Sequence, residues 1–257
     1  MFPGERRKEI VKLIEEQGSV TVEELAKRFC VSVDSIRKDL KVLSDAGKCR
    51  REYGGALRNE VVAEQTSPAE PQQGTEEYDD IGRHAVATRA YVEINDGDSV
   101  FLDASRTNLF LADLIAKGDK RCIVTTNMIG VLERLSSNPR ITALGTGGYL
   151  NMELNGFTGS ATVSLLEPLL FAKAFIGCCG IDLKSSAVMS FGMDDGIVRQ
   201  RAVQNASYKF LLANSMKFGI RGGYRFASIT DFSAVITNTT DPAIISQISR
   251  MRTPVLS

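Results

Sequence analysis

Ser19–Leu57 reads SVTVEELAKRFCVSVDSIRKDLKVLSDAGKCRREYGGAL, and this stretch decides the fold of the N-terminal part. Thr21 followed three residues later by Glu24 is a capping box, which predicts a short helix through Phe29 with Leu25, Ala26 and Phe29 facing inward. Ser32 caps the next helix, with Ser35 in its first turn. Ile36, Leu40 and Leu43 give that helix its apolar stripe, and Gly47 ends it. Lys48, Arg50 and Arg51 then form a basic strand running into Tyr53-Gly54-Gly55, a turn that two glycines make easy. Upstream, Pro3 suits an early helix position, and Ile10, Val11, Leu13 and Ile14 form a helical stripe that stops at Gly18. Three helices and a basic strand-turn-strand describe a winged helix-turn-helix, which lays one helix in the major groove of duplex DNA.

The face of the third helix opposite its stripe holds Asp34, Ser35, Arg37, Lys38 and Lys41. Ser35 and Arg37 can donate to base edges or phosphates, while Lys38 and Lys41 suit phosphates. Taken alone, this is also the solvated face of any amphipathic helix; the basic wing tips the reading toward DNA. The candidate DNA-contacting residues are Thr21, Ser32, Asp34, Ser35, Arg37, Lys38, Lys41, Arg50, Arg51 and Tyr53.

A chain of 257 residues, 43% hydrophobic and 24% charged, has room for this small head and a larger soluble domain. Lys/Arg and Asp/Glu balance overall, yet residues 1–58 hold thirteen against ten and the remainder eighteen against twenty-one. A basic head on an acidic body fits DNA binding by the head. No apolar run approaches the ~20 residues of a membrane span. The N-terminus is charged and lacks a secretory core, so a cytoplasmic location is expected. Five scattered cysteines without a CxxC pair argue against disulfides and zinc, and Cys178-Cys179 reads as buried strand. His84 is the single histidine, poor support for a catalytic triad or a multi-histidine metal site. No cofactor, metal or catalytic residue is expected.

Residues 59–77, polar with Pro68, Pro71 and Gly74, read as a linker between a head at 1–58 and a body at 78–250. From Tyr78 to Ile94 a helical pattern resumes, with Ile81, Ala85, Val86, Ala90 and Ile94 available to pack. Strands follow at Ser99–Leu102, Cys122–Thr126, Ile141–Leu144 and Ala172–Ile176, each closed by a polar or Gly-rich turn. Strand, turn, helix and strand again describe an α/β domain with a largely parallel sheet. Its ligands bind outside the carboxyl ends of the strands. Asp103, Ser105, Arg106 and Thr107, then Thr126 and Asn127, then Gly147 and Gly148 gather there, and such groups suit a phosphate and sugar hydroxyls. The same residues also serve as ordinary helix caps and tight turns.

VSVDSIRKDLKVLSDAGKCRREYGGAL resembles the DeoR family of bacterial transcriptional regulators, close to its S-x-x-T-I-R-R-D-L pattern and R-x-x-G-G-A wing. Ser35 stands where that family usually has Thr, and Lys38 where it has Arg. In the body, LDASRTNLFLADLI, TTNMIGVLERL, GTGGYLN, KAFIGCCGID and SMKFG are similar to further segments of the family, so the resemblance covers about residues 3–240. It implies a ribose-5-phosphate-isomerase-like α/β sensor domain that binds a phosphorylated sugar and governs DNA affinity. The effector-binding candidates so implied are Asp103, Ser105, Arg106, Thr107, Asn127, Gly147, Gly148, Asp195 and Lys217. Four departures are expected to bear on that pocket: Arg106 for a small hydroxyl residue, Ala172 for Asp, Asp195 for Glu and Asn214 for Asp. The segment after Ile181-Asp182 also lacks the family's usual glycine.

Three functions follow. The first is a DNA-binding regulator, in this family most often a repressor of carbohydrate genes, whose operator grip changes with a sugar phosphate and which acts as a homo-oligomer on paired half-sites. The second is a regulator whose effector pocket is altered or vestigial. The third is a sugar-phosphate isomerase with an appended head, with Asp103, Asp195 and Lys217 as its acid-base groups.

Overall fold

The computed structural model describes residues 3–17, 19–45, 48, 50–52, 55–57 and 73–257. Tyr53 and most of the expected linker lie outside them, and so do the side chains of Arg50 and Arg51. The chain divides into two compact units, Met1–Thr66 and Ser67–Ser257.

The first unit runs α1 (Pro3–Gln17), β1 (Ser19–Thr21), α2 (Val22–Phe29), α3 (Val33–Asp45), β2 (Arg50–Glu52) and β3 (Gly55–Leu57). The strands pair antiparallel in the order β1-β3-β2, with Ser19 and Arg50 both opposite Leu57. β1 is absent from the sequence pattern: at three residues it is too short for alternation to register. Ile10, Leu13, Ile14, Val20, Leu25, Ile36, Leu40 and Leu43 form one core, as the stripes predict. Cys30 closes α2 in the left-handed region, at φ 51°. The Cys30 and Val31 N–H groups donate to Lys27 and Ala26 carbonyls, satisfying two of the orphan acceptors of the helix end. This bend sets α3 across α2.

The second unit begins with α4 (Gln73–Val92), which takes in the last residues of the expected linker. Within α4 the inward face is Gly82, Arg83, Val86, Ala87 and Ala90; Ile81 and Ala85, expected to pack, are exposed. A buried arginine hides the true stripe.

Then come β4 (Ser99–Leu102), α5 (Arg106–Lys117), β5 (Cys122–Thr126), α6 (Ile129–Leu135), β6 (Ile141–Gly145), β7 (Tyr149–Asn151), β8 (Gly156–Thr158), α7 (Gly159–Leu166) and β9 (Phe171–Gly177). β10 (Gly180–Asp182), β11 (Ala187–Ser190), α8 (Met193–Gln204), β12 (Ala206–Leu212), β13 (Tyr224–Ser228), β14 (Ala234–Ile236), α9 (Pro242–Arg250) and β15 (Val255–Leu256) complete it. β15 extends the sheet past the expected end at 250. Two residues after an Arg-terminated helix leave almost no pattern to read.

Seven strands form a parallel sheet in the order β15-β14-β12-β9-β4-β5-β6. Alternate residues feed two cores. Val100, Leu102, Val124, Phe175 and Phe210 face α4, α5 and α6. Phe101, Ala174, Ile176 and Leu211 face Val198, Ala202 and Ile248. β10, β11 and β13 make a separate antiparallel sheet, and β7 and β8 a hairpin. Ser186, at φ 57°, occupies the left-handed position in the β10–β11 turn, after the Ile181-Asp182 pair that a family glycine usually follows. Strand order reverses between β4 and β9, so their carboxyl ends frame the switch-point crevice of a doubly wound sheet. No helix among the described residues is long and apolar enough to cross a membrane.

Candidate DNA interface and candidate effector site

Two features hold α3 in place. Ser32 Oγ accepts from the Ser35 N–H at 3.3 Å and lies 2.9 Å from Ser35 Oγ, capping the helix. Arg6 Nε of α1 donates to Asp39 Oδ2 at 2.6 Å, with both side chains buried. Arg7 adds a second contact to Asp39 at 3.6 Å. The sequence pattern does not reveal this clamp, although Asp39 sits between Ile36 and Leu40 on the stripe. With Ile36, Asp39, Leu40 and Leu43 turned inward, Asp34, Arg37, Lys38 and Lys41 are exposed. Their spacing of three, one and three residues puts them along one helix face. Asp34 lies 3.4 Å from Arg37, holding that guanidinium at the surface.

Thr21 serves the fold of the head. Its Oγ1 accepts from the Glu24 N–H at 3.2 Å, and its own N–H donates to Glu24 Oε2 at 3.2 Å. Hydrogen bonds from Thr21 hold the Glu24 carboxyl below its ordinary range. Arg50 and Arg51 lie on β2, the wing strand that pairs with β3. The Lys48 N–H donates to the Leu43 carbonyl at 2.8 Å, satisfying one of the last acceptors of α3. Gly47, expected at that end, lies outside the described residues.

In the body, Asp103 follows β4 and is fully buried at the switch point. Its Oδ1 accepts from Asn108 Nδ2 at 2.6 Å and from the Gly177 N–H, at the end of β9, at 3.1 Å. Its Oδ2 meets Arg199 Nε at 2.9 Å, and Arg199 Nη2 meets Asp195 Oδ2 at 3.1 Å. Arg199 also donates to the carbonyls of Gly177 and Ala104 at 3.1 and 3.3 Å. One buried guanidinium thus joins two buried carboxylates. Burial pushes the Asp195 carboxyl up despite Arg199 beside it. Burial works against the charged form of Arg199, but Asp195 and Asp103 raise its pKa overall. Arg199 is missing from the residues expected at this site; its position four residues after Asp195 on a helix was the available signal.

Ser105 stands at the N-cap of α5 without capping it, its Oγ buried and without a hydrogen-bond partner. Its side chain packs on Gly177, where an added Cβ would stand 2.7 Å from the Ser105 Oγ. Thr107 is buried in the first turn of the same helix. Asn127 donates through Nδ2 to the Phe157 carbonyl at 2.8 Å and leaves Oδ1 buried and unpartnered. Gly156 sits between Asn127 and Ala104, and a Cβ there would lie 2.8 and 2.9 Å from them. Lys217 ends a 3-10 turn after β12 and lies near enough to act on both Cys178 and Cys179. Burial nevertheless pushes the Cys178 thiol up to about 12, so it stays protonated at neutral pH.

Asp103, Ser105 and Asp195, with Arg199, therefore form one cluster; Thr107 lies in the first turn of α5, Asn127 follows β5, and Lys217 lies in the 3-10 turn after β12. Gly147 and Gly148 stand two strands away, after β6, at φ 67° and 127°. Thr162 Oγ1 donates to the Gly147 carbonyl at 3.0 Å, so this pair serves the seating of α7. Arg106 turns outward to Asp80 of α4, at 3.0 Å. Ala172, expected beside the pocket, lies at the opposite, amino end of β9, where its N–H donates to Ser99 Oγ at 2.9 Å. Asn214 Nδ2 donates to the Asp79 carbonyl at 3.2 Å and to the Asp79 carboxylate. An aspartate there would face another aspartate, which accounts for the amide. Among the described residues no group of three or more His, Cys, Asp or Glu side chains is placed to hold a metal.

A winged helix-turn-helix in one chain with a doubly wound α/β body defines a class, the DNA-binding regulators with a second, α/β domain. The DeoR-like helix-turn-helix domain matches residues 6–62, and the DeoR C terminal sensor domain matches residues 81–239. The chain belongs to the DeoR family of transcriptional regulators. It is 30% identical to the HTH-type transcriptional regulator GlpR of Haloferax volcanii, over 93% of this chain and 91% of that one. It is 29% identical to the lactose phosphotransferase system repressor of Streptococcus mutans, over 97% and 98%. Ribose 5-phosphate isomerase A of Methanocaldococcus jannaschii shares 14% identity over 53% of each chain, with a TM-score of 0.39.

Proposed function

We propose that this regulator is a cytoplasmic repressor of carbohydrate-metabolism genes, acting as a homo-oligomer, whose operator affinity changes when a phosphorylated sugar occupies the β4–β9 switch point. The observation that carries the reading is the set of buried, unpartnered polar atoms there: Ser105 Oγ, Asn127 Oδ1 and Asp195 Oδ1. Buried polar groups without partners cost about 1–3 kcal/mol each, and a ligand rich in hydroxyls would satisfy them. The amide donors of the first turn of α5 suit the phosphate, and Lys217 adds a cation. Ser35, Arg37, Lys38 and Lys41 of α3, with Arg50, Arg51 and Tyr53 of the wing, would contact DNA. The relatives named above as a regulator and a repressor support the regulatory role.

An isomerase is the disfavoured reading: Arg199 pairs with both Asp103 and Asp195, which counts against either carboxylate as the base that takes a proton next to a carbonyl. An altered pocket is the second reading, favoured by the outward turn of Arg106 to Asp80.

A panel of sugar phosphates tested by thermal shift on the full chain decides between them. One compound is expected to raise Tm, by mass action on the folded state, and Lys217→Ala to abolish the rise. The same compound is expected to change retardation of a DNA fragment from upstream of the protein's own operon. Stabilisation by none of the panel would favour the altered pocket.

A further inference from the structure

Arg106 is the first residue of α5, so its backbone stands at the helix terminus proposed for the phosphate while its side chain is engaged elsewhere. Arg106 Nη2 meets Asp80 Oδ2 at 3.0 Å, and Asp80 Oδ1 also accepts from Arg83 Nη1 at 2.7 Å. Arg83 reaches on to Asp79, which receives the Asn214 amide. Among the described residues, two carboxylates and two guanidiniums thus face one another at residues 79–83 of α4 and the start of α5. They differ in freedom: the Arg83 side chain is 9% exposed and the Arg106 side chain 52%. Arg83 is fixed, and Arg106 is the member able to change partner.

We infer that Asp80 is an internal competitor of the anionic ligand for Arg106, so that filling the site loosens α4 around residues 79–84. The inference rests on the phosphate-binding reading above. A dianion at the start of α5 arrives beside Arg106 and within reach of Asp80. If Arg106 swings to it, Asp79 and Asp80 are left with one guanidinium between them. If Arg106 stays, the dianion meets the field of Asp80. Both outcomes set ligand and α4 contact against each other, and such opposition is reciprocal. A half-exposed ion pair of this kind is weak enough to make and break reversibly. α4 is also the first described element of the second unit.

The test uses the full chain, inorganic phosphate as the probe, and the variants Asp80→Asn and Arg106→Gln. Hydrogen exchange over residues 79–84 and phosphate affinity by calorimetry are the readouts. Phosphate is expected to speed exchange over 79–84 in the parent protein, and each variant to exchange fast there without it. Asp80→Asn is expected to bind phosphate about fivefold more tightly and Arg106→Gln several-fold more weakly. A role confined to packing would move both affinities in the same direction. Phosphate binding with unchanged exchange over 79–84, or equal affinity in Asp80→Asn, overturns the competition and leaves the sensor reading standing. Absence of phosphate binding in parent and variants alike removes both.

Discussion

Arg199 lies between Asp103 and Asp195, and the three side chains are buried together, so two negative charges share one positive charge out of water. Asp103 has further support from the Asn108 amide and the Gly177 N–H, whereas Asp195 has the Arg199 contact at Oδ2 and a buried Oδ1 without a hydrogen bond. The surplus charge therefore falls on Asp195, in line with the upward push on its carboxyl by burial. A carboxyl raised above its unfolded value of 3.8 binds more protons folded than unfolded, so its contribution to stability is full below that value and is lost as pH rises. Asp195→Asn is accordingly expected to raise Tm of the ligand-free protein at pH 8, with the gain shrinking as pH is lowered toward 4. Thermal melts of both proteins across that range check this. A variant less stable than its parent at pH 8 would mean that attraction to Arg199 outweighs burial.

Elements differ in how well their sequence announces them. α3 is legible because its cap at Ser32, its stripe at Ile36, Leu40 and Leu43 and its polar face all agree. β4 and β5 are legible because each has a run of three apolar residues, Val100–Leu102 and Cys122–Val124, in a short strand that is followed by Asp103 or Asn127. The inward face of α4 is not, because its stripe contains Arg83, whose partners Asp79 and Asp80 lie one turn back on the same helix. The clamp of α1 on α3 is invisible for a related reason: Arg6 and Asp39 are thirty-three residues apart, and nothing local to either predicts the pairing. That clamp has a measurable consequence. Asp39→Ala leaves Arg6 buried without its partner, a loss of about 3–5 kcal/mol. Calorimetry of the full chain is expected to show the transition of the head lowered and that of the body unmoved. Replacing Arg6 and Asp39 together with Met and Leu is expected to recover much of the loss, because no unpaired buried charge then remains.

At the scale of the whole molecule, the class of both units can be read from sequence, while the pocket can be read only in part. Turn residues such as Asp103 and Ser105 identify themselves, but Arg199 enters from a helix almost a hundred residues later, and Ala172 falls at the wrong end of its strand. The division of labour between the units yields the last prediction. The exposed cations of α3 act through DNA phosphates, whose neutralisation releases counterions and makes binding steeply salt-dependent. In retardation titrations over a salt series, Lys38→Ala and Lys41→Ala are each expected to weaken binding on all sequences and to lower the log–log salt slope by about 1. Arg37→Ala, where that side chain reads a base, is expected to cost about 1–3 kcal/mol and to relax preference at one operator position. Lys217→Ala, in the other unit, is expected to leave the slope unchanged and to alter only the response to the effector. By linkage, the factor by which an effector changes operator affinity must equal the factor by which operator changes effector affinity. Equal factors in the parent protein, and both reduced to one in Lys217→Ala, would tie the body to the head thermodynamically. A changed salt slope in Lys217→Ala would instead place part of the body on the DNA.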